Sequence, residues 1–200
     1  MNARPKLAVL ASGSGSNLQA ILDEVQAGKI PAEVRVVLSD KKEAYALKRA
    51  EAAGVEAICL PPKAYPSREA HDQAIVDELR MRHVDWVILA GYIRILGADF
   101  VRAFAGKILN IHPALLPKYP GIHSIERAVQ AGEKEVGVTV HFVDEGVDTG
   151  PIIVQEPLPV SNSETLERLT ERVHGLEHRL YPEAIRRVLA GDVRFTARGN

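Results

Sequence analysis

Residues 6–25, KLAVLASGSGSNLQAILDEV, hold an apolar run, a glycine-rich loop and an amphipathic stripe in that order, and this succession decides the fold. Lys6 to Ala11 is aliphatic with little polar alternation, the mark of a strand covered on both faces of a parallel sheet. Leu18, Ile21, Leu22 and Val25 follow the i, i+3, i+4, i+7 spacing that lines one side of a helix, and Gly28 stands where that helix should end. The alternation recurs downstream. Strands are predicted at Glu33 to Ser39, Glu56 to Leu60, Trp86 to Ala90 and Lys107 to Ile111, with helices over Tyr45 to Ala53, from Ser67 to about His83, and over Gly97 to Ala105. Repeated βαβ units imply an α/β fold with a mostly parallel sheet and helices on both faces.

Beyond the loop from Asn110 to His123 the pattern changes. A helix is expected near Ser124 to Ala131, then a strand over Val136 to Val143, half-exposed or with faces of differing character, paired with Ile152 to Leu158 in an antiparallel C-terminal part. A long helix follows Ser163, its buried stripe formed by Leu166, Leu169, Val173, Leu176 and Leu180, and Pro182 is expected to end or kink it. With no repeat or linker, residues 1–200 read as a single domain, frayed at the closing ARGN.

Twenty-five basic against 26 acidic residues leave a net charge of -1 without a run of one sign, so nothing resembles a nucleic-acid footprint and the expected partners are small molecules. Cys59 is the only cysteine, which excludes an internal disulfide and a cysteine-based zinc cluster, and its apolar surroundings read as core packing. The apolar run near the N-terminus is too short for a signal peptide, and none approaches a membrane span, so a soluble cytoplasmic protein is expected.

Chemistry concentrates in LNIHPALLPKYP, Leu109 to Pro120. In an extended segment Asn110 and His112 face the same way, and Pro113 biases His112 toward that conformation. An acid-base group beside a neutral hydrogen-bond donor suits a tetrahedral oxyanion, and Asp148, in the turn-like EGVDTGP, is a carboxylate able to orient the imidazole. The loop Ser12 to Leu18 leads into a helix N-terminus and suits a single phosphate, because Leu18 replaces the third glycine of the dinucleotide fingerprint and no Walker lysine follows. The plainer alternative is a tight turn capped by Ser16 or Asn17. Arg68 follows the cap Ser67, an unfavourable place for a cation unless it binds an anion. Glu177 borders the buried stripe of the last helix, where it needs an ion pair or a ligand amine or hydroxyl. Surface positions are expected for His71 and His83, a hydrogen-bonded wall position for His141, a site-lining one for His123, and no metal-ligand spacing connects the histidines.

The chain resembles the folate-dependent phosphoribosylglycinamide formyltransferases. The resemblance runs from about Lys6 to Pro182 on SGSGSNLQA, the SRE at Ser67 to Glu69, LAGYIRIL, NIHPALLPKYPG, HFVDEGVDTGPII and EHRLYP. It implies a Rossmann-like formyltransferase fold and transfer of the formyl group of 10-formyltetrahydrofolate, as co-substrate, to the amine of glycinamide ribonucleotide without a metal. By motif it implies Asn110, His112 and Asp148 as the catalytic trio, with Asp148 raising the pKa of His112. Gly15, Ser16, Asn17, His174 and Glu177 would bind the ribonucleotide. Folate would meet Arg68, Ile93, Arg94, Ile95 and Leu96, together with Asn110 and the loop Asp144, Glu145, Gly146, Val147 and Asp148. At His174 this sequence departs from relatives with a neutral amide, so affinity there would vary with pH across the imidazole range. Methionyl-tRNA formyltransferases, formyltetrahydrofolate deformylases and a non-catalytic phosphosugar-binding module are the alternatives. The first would need a C-terminal domain and basic surface, the second an N-terminal regulatory module, and the third has no need of all three catalytic residues. A monomer or homodimer, without membrane or nucleic acid, is expected.

Overall fold

The computed structural model describes residues 3–161 and 163–196; the expectation for the closing ARGN lies outside them. Seven strands form one sheet in the order β3-β2-β1-β4-β5-β6-β7. They are β1 Lys6–Leu10, β2 Glu33–Ser39, β3 Glu56–Cys59, β4 Trp86–Leu89, β5 Ile108–His112, β6 Glu135–Phe142 and β7 Ile152–Pro159. The first five run parallel, and β6 and β7 add antiparallel. Among the described residues five α-helices lie between the strands, α1 Ser16–Gln26, α2 Tyr45–Ala52, α3 Arg68–Met81, α4 Ala98–Ala103 and α5 Ser124–Gln130, and α6 Leu166–Ala190 follows the last strand.

Two cores lie on opposite faces of the sheet. One joins Ile21, Ala46, Ile125 and the α6 residues Val173, Leu180 and Ile185 to Val9, Leu109 and Val140. The other joins Ile75 and Leu79 of α3 and Phe100 of α4 to Leu10, Val87 and Ile108. Strand order reverses beside β1 and β4, and an open α/β sheet accepts ligands past the carboxyl ends of its strands at such a point.

Several elements differ from expectation for identifiable reasons. β6 is buried along its length after Glu135, because β5 and β7 flank it and α6 packs on it; the alternating exposure falls on the edge strand β7. β3 is the opposite edge, so Cys59 is half-buried rather than core. α6 starts from a Thr165 cap, whose hydroxyl accepts from the Arg168 N–H at 3.3 Å, and not from Ser163. It also continues through Pro182 to Ala190: Ala184, Ile185 and Val188 are all buried beyond the break, and that packing offsets the lost helical hydrogen bond. The Tyr181 hydroxyl reaches the carbonyls of Leu89 and Leu109 at 2.9 and 3.0 Å, tying α6 to the ends of β4 and β5. His71 is fully buried in α3, with Nε2 2.9 Å from the Leu60 carbonyl, so only His83 of that pair lies toward the surface.

Candidate active site

The glycine-rich loop ends on Gly15, whose φ of +71° is left-handed and whose missing Cβ would lie 2.8 Å from Ala46. Only glycine satisfies both the dihedral and the approach of α2. α1 begins at Ser16 without a side-chain cap, so neither Ser16 nor Asn17 plays that part, and the first N–H groups of the helix stay open with the positive end of its dipole. Asn17 turns instead to α6, where its Nδ2 donates to Glu177 Oε2 at 3.1 Å while its own Oδ1 has no partner. Arg49, which sequence reasoning missed, donates from Nε to the Ser14 carbonyl at 2.8 Å.

Glu177 is 5% exposed and, among the described residues, forms no ion pair. Burial pushes its carboxyl up to about 7, offset only partly by the Asn17 amide. The ligand alternative is therefore the one left standing. His174 lies one helical turn earlier and is exposed.

Register brings the second cluster together. Asn110 on β5 pairs with His141 on β6, and His112 pairs with Thr139, so all four side chains share a sheet face. It is the face that α3 and α4 cover further along, where Ile108 belongs to their core. Thr139 secures the following loop: its hydroxyl donates to the Ala114 carbonyl at 2.6 Å and accepts from the Leu116 N–H at 3.2 Å.

Asp148, with φ +54°, reaches into this cluster from the loop before β7. Its Oδ1 accepts from Asn110 Nδ2 at 3.3 Å and lies 3.5 Å from His141 Nε2; its Oδ2 accepts from the Gly121 N–H at 2.8 Å and lies 3.4 Å from His112 Nδ1. Burial works against the Asp148 anion, but the hydrogen bonds from His141 and Gly121 and the two imidazoles outweigh it and hold the carboxyl at about 2. His112 is set the other way. Burial lowers its pKa, and Asp148, which raises it as expected, together with the Tyr119 carbonyl offsets only part of that, so the net shift is a fall. The Tyr119 carbonyl, 2.8 Å away, can only accept, which commits Nε2–H and leaves Nδ1, facing Asp148, as the nitrogen that gains and loses a proton. His141 and the Gly121 amide are further members of this constellation. The first holds the hydrogen-bonded wall position expected of it, while the second is backbone and leaves no trace in residue type.

The segment 91–97 connects β4 to α4 and exposes Ile93 and Ile95 by 61% and 59%, while Leu96 is buried and Arg94 half-buried. The Ile93 N–H donates to Ser12 Oγ at 3.1 Å, joining this segment to the root of the glycine-rich loop. Arg68 opens α3 after the Ser67 cap, which accepts from the Ala70 N–H at 3.1 Å. In the loop Asp144 to Asp148, Asp144 Oδ1 accepts from the Gly146 N–H at 3.1 Å and the Thr149 hydroxyl at 2.6 Å; Val147 is exposed, and Glu145 turns away to Arg102 at 2.9 Å. His123 is exposed beside Glu126 rather than turned into the cluster. Among the described residues no group of three or more His, Cys, Asp or Glu is placed to hold a metal ion, and no helix is long and apolar enough to cross a membrane.

Residues 5–185 match the formyl transferase family. A phosphoribosylglycinamide formyltransferase of Bacillus subtilis is 44% identical over 92% of this chain and 94% of its own length. A trifunctional purine biosynthetic protein of Drosophila melanogaster is 46% identical over 94% of this chain, which spans 14% of that longer protein. The crystal structure of glycinamide ribonucleotide transformylase 1 from Symbiobacterium toebii superposes with a TM-score of 0.95 at 49% identity, covering 98% of this chain and 92% of that one.

Proposed function

This chain belongs to the formyl transferase family, and from that premise we propose that it transfers the formyl group of 10-formyltetrahydrofolate to the amine of N1-(5-phosphoribosyl)glycinamide. The products are formylglycinamide ribonucleotide and tetrahydrofolate, a step of de novo purine biosynthesis. The observation that carries the reading is the meeting of Asn110, His112 and Asp148 at one face of the sheet.

Each substrate has its own side. The ribonucleotide phosphate sits on the open N–H groups at Gly15, Ser16 and Asn17, with Glu177 accepting from ribose hydroxyls and His174 at the periphery. The folate lies on Ile93, Ile95 and Leu96 between Arg94, Arg68 and the loop Asp144 to Asp148, with its formyl group turned to Asn110. The amine attacks the formyl carbon directly. As that carbon-nitrogen bond forms, the carbonyl oxygen becomes an oxyanion, which the Asn110 amide stabilises and which the positive charge of His112 favours once Nδ1 has taken the amine proton. The proton leaving the amine passes through His112 Nδ1 while the Asp148 anion holds the resulting imidazolium, and it ends on the folate nitrogen as the old carbon-nitrogen bond breaks. His141 and the Gly121 N–H keep Asp148 aimed and ionised. No metal is needed, and we place the enzyme in the cytoplasm as a monomer or homodimer acting on small molecules.

The test is to mix purified protein with 10-formyltetrahydrofolate and the ribonucleotide and follow deformylated folate and formylated ribonucleotide together. Equal amounts of both support transfer; folate product without the ribonucleotide indicates a hydrolase, and no product overturns the reading.

A further inference from the structure

Asp72 lies in the second turn of α3, is 7% exposed, and has no part in the reaction described above. An anion so deeply buried needs strong partners. It has two. Its Oδ2 accepts from the Gly97 N–H at 2.7 Å, at the point where segment 91–97 enters α4, and it lies 3.9 Å from Nε of Arg68 one helical turn earlier. The approach is close enough that a Cβ on Gly97 would stand 2.9 Å from that same oxygen, and 3.8 Å from an Arg68 guanidinium nitrogen. Position 97 is therefore glycine because the carboxylate, the backbone and the guanidinium crowd together there. At its other end the segment is held by Ser12, which accepts from the Ile93 N–H and donates its own N–H to the Gly91 carbonyl at 3.0 Å.

We propose that Asp72 is a positioning residue for the folate site: its buried carboxylate fixes the exit of segment 91–97 through Gly97 and aims Arg68 at the same edge of that segment. This rests on the reading that folate binds at Ile93 to Leu96. Pinned at both ends, the segment presents Ile93 and Ile95 to solvent in one backbone shape before any ligand arrives, which lowers the ordering cost of binding. The carboxylate touches nothing on the phosphate side, so its effect is confined to one of two substrates.

The test uses the full chain with Asp72→Ala and Asp72→Asn, steady-state kinetics for each substrate, and direct calorimetric titration with tetrahydrofolate. Asp72→Ala should raise the folate KM about tenfold, as expected for loss of one charge-assisted hydrogen bond, with kcat and the ribonucleotide KM changed less than about twofold. Asp72→Asn keeps an acceptor for Gly97 but no charge for Arg68, so it should fall between wild type and Asp72→Ala. An unchanged folate KM in both variants overturns the proposal, as does an equal loss for both substrates, which would mean a structural role only. Failure of wild-type protein to bind tetrahydrofolate would instead overturn the folate reading itself.

Discussion

Glu177→Gln should make this protein more stable at neutral pH and less able to use its ribonucleotide. The wild-type carboxyl is 5% exposed, meets only the Asn17 amide among the described residues, and is pushed from 4.5 to about 7. A folded-state pKa raised above the unfolded value means that the folded protein binds this proton more tightly. Any contribution from the group is then fully present below pH 4.5 and lost as pH rises through about 7. At about 1.4 kcal/mol per pKa unit, the penalty grows from under roughly 1 kcal/mol at pH 5 to about 3 kcal/mol at pH 8. Glutamine has nearly the same shape, cannot ionise, still accepts from Asn17 Nδ2, and brings a donor beside the unpartnered Asn17 Oδ1. Urea unfolding of both proteins from pH 5 to 8.5 should show the variant gaining steadily over wild type, and thermal melts should show Tm raised by roughly 6 to 12 °C at the alkaline end. In the same preparations kcat/KM for the ribonucleotide should fall about 10- to 100-fold, the loss expected for a hydrogen bond made to a charged group. A stability difference that stays constant across pH would refute the reasoning, since it would show that Glu177 carries no unpaired charge at pH 8.

The phosphate side can be probed at two further points. Gly15→Ala combines a left-handed φ with a Cβ 2.8 Å from Ala46; it should cost roughly 1–3 kcal/mol in stability and raise the ribonucleotide KM more than the folate KM, which thermal melts and two-substrate kinetics will check. His174→Ala should raise the ribonucleotide KM while leaving the folate KM unchanged, because the exposed imidazole lies one helical turn from Glu177 on the phosphate side; an unchanged ribonucleotide KM would remove His174 from the site.

Much of the fold was legible because the signal was local. Lys6 to Ala11 and the stripe from Leu18 to Val25 name a strand and a helix from neighbouring residues alone, and β1 and α1 lie there. What depends on flanking elements was not visible. β6 has alternate apolar residues like a half-exposed strand, yet it is buried because β7 covers the edge that β6 would otherwise form. Pro182 is a helix breaker by type, overridden by the buried residues that follow it. The same division runs through the site. Asn110 and His112 co-face by a two-residue spacing that any reader of the chain can count, whereas the downward balance at His112 depends on how deeply the finished fold buries it. Likewise Glu177 could be placed beside the stripe by helical geometry, but its pairing with the neutral amide of Asn17 became visible only when α1 docked on α6.

The central claim is that Asp148 and His112 together carry the proton through the formyl transfer. Its most direct measurement is the single-turnover rate of Asp148→Asn with both substrates saturating, beside tetrahydrofolate affinity for the same protein. Asparagine can keep the Gly121 contact but cannot hold an imidazolium, so the rate should fall about a hundredfold or more while folate binding changes less than about threefold. A rate within about twofold of wild type would contradict the account.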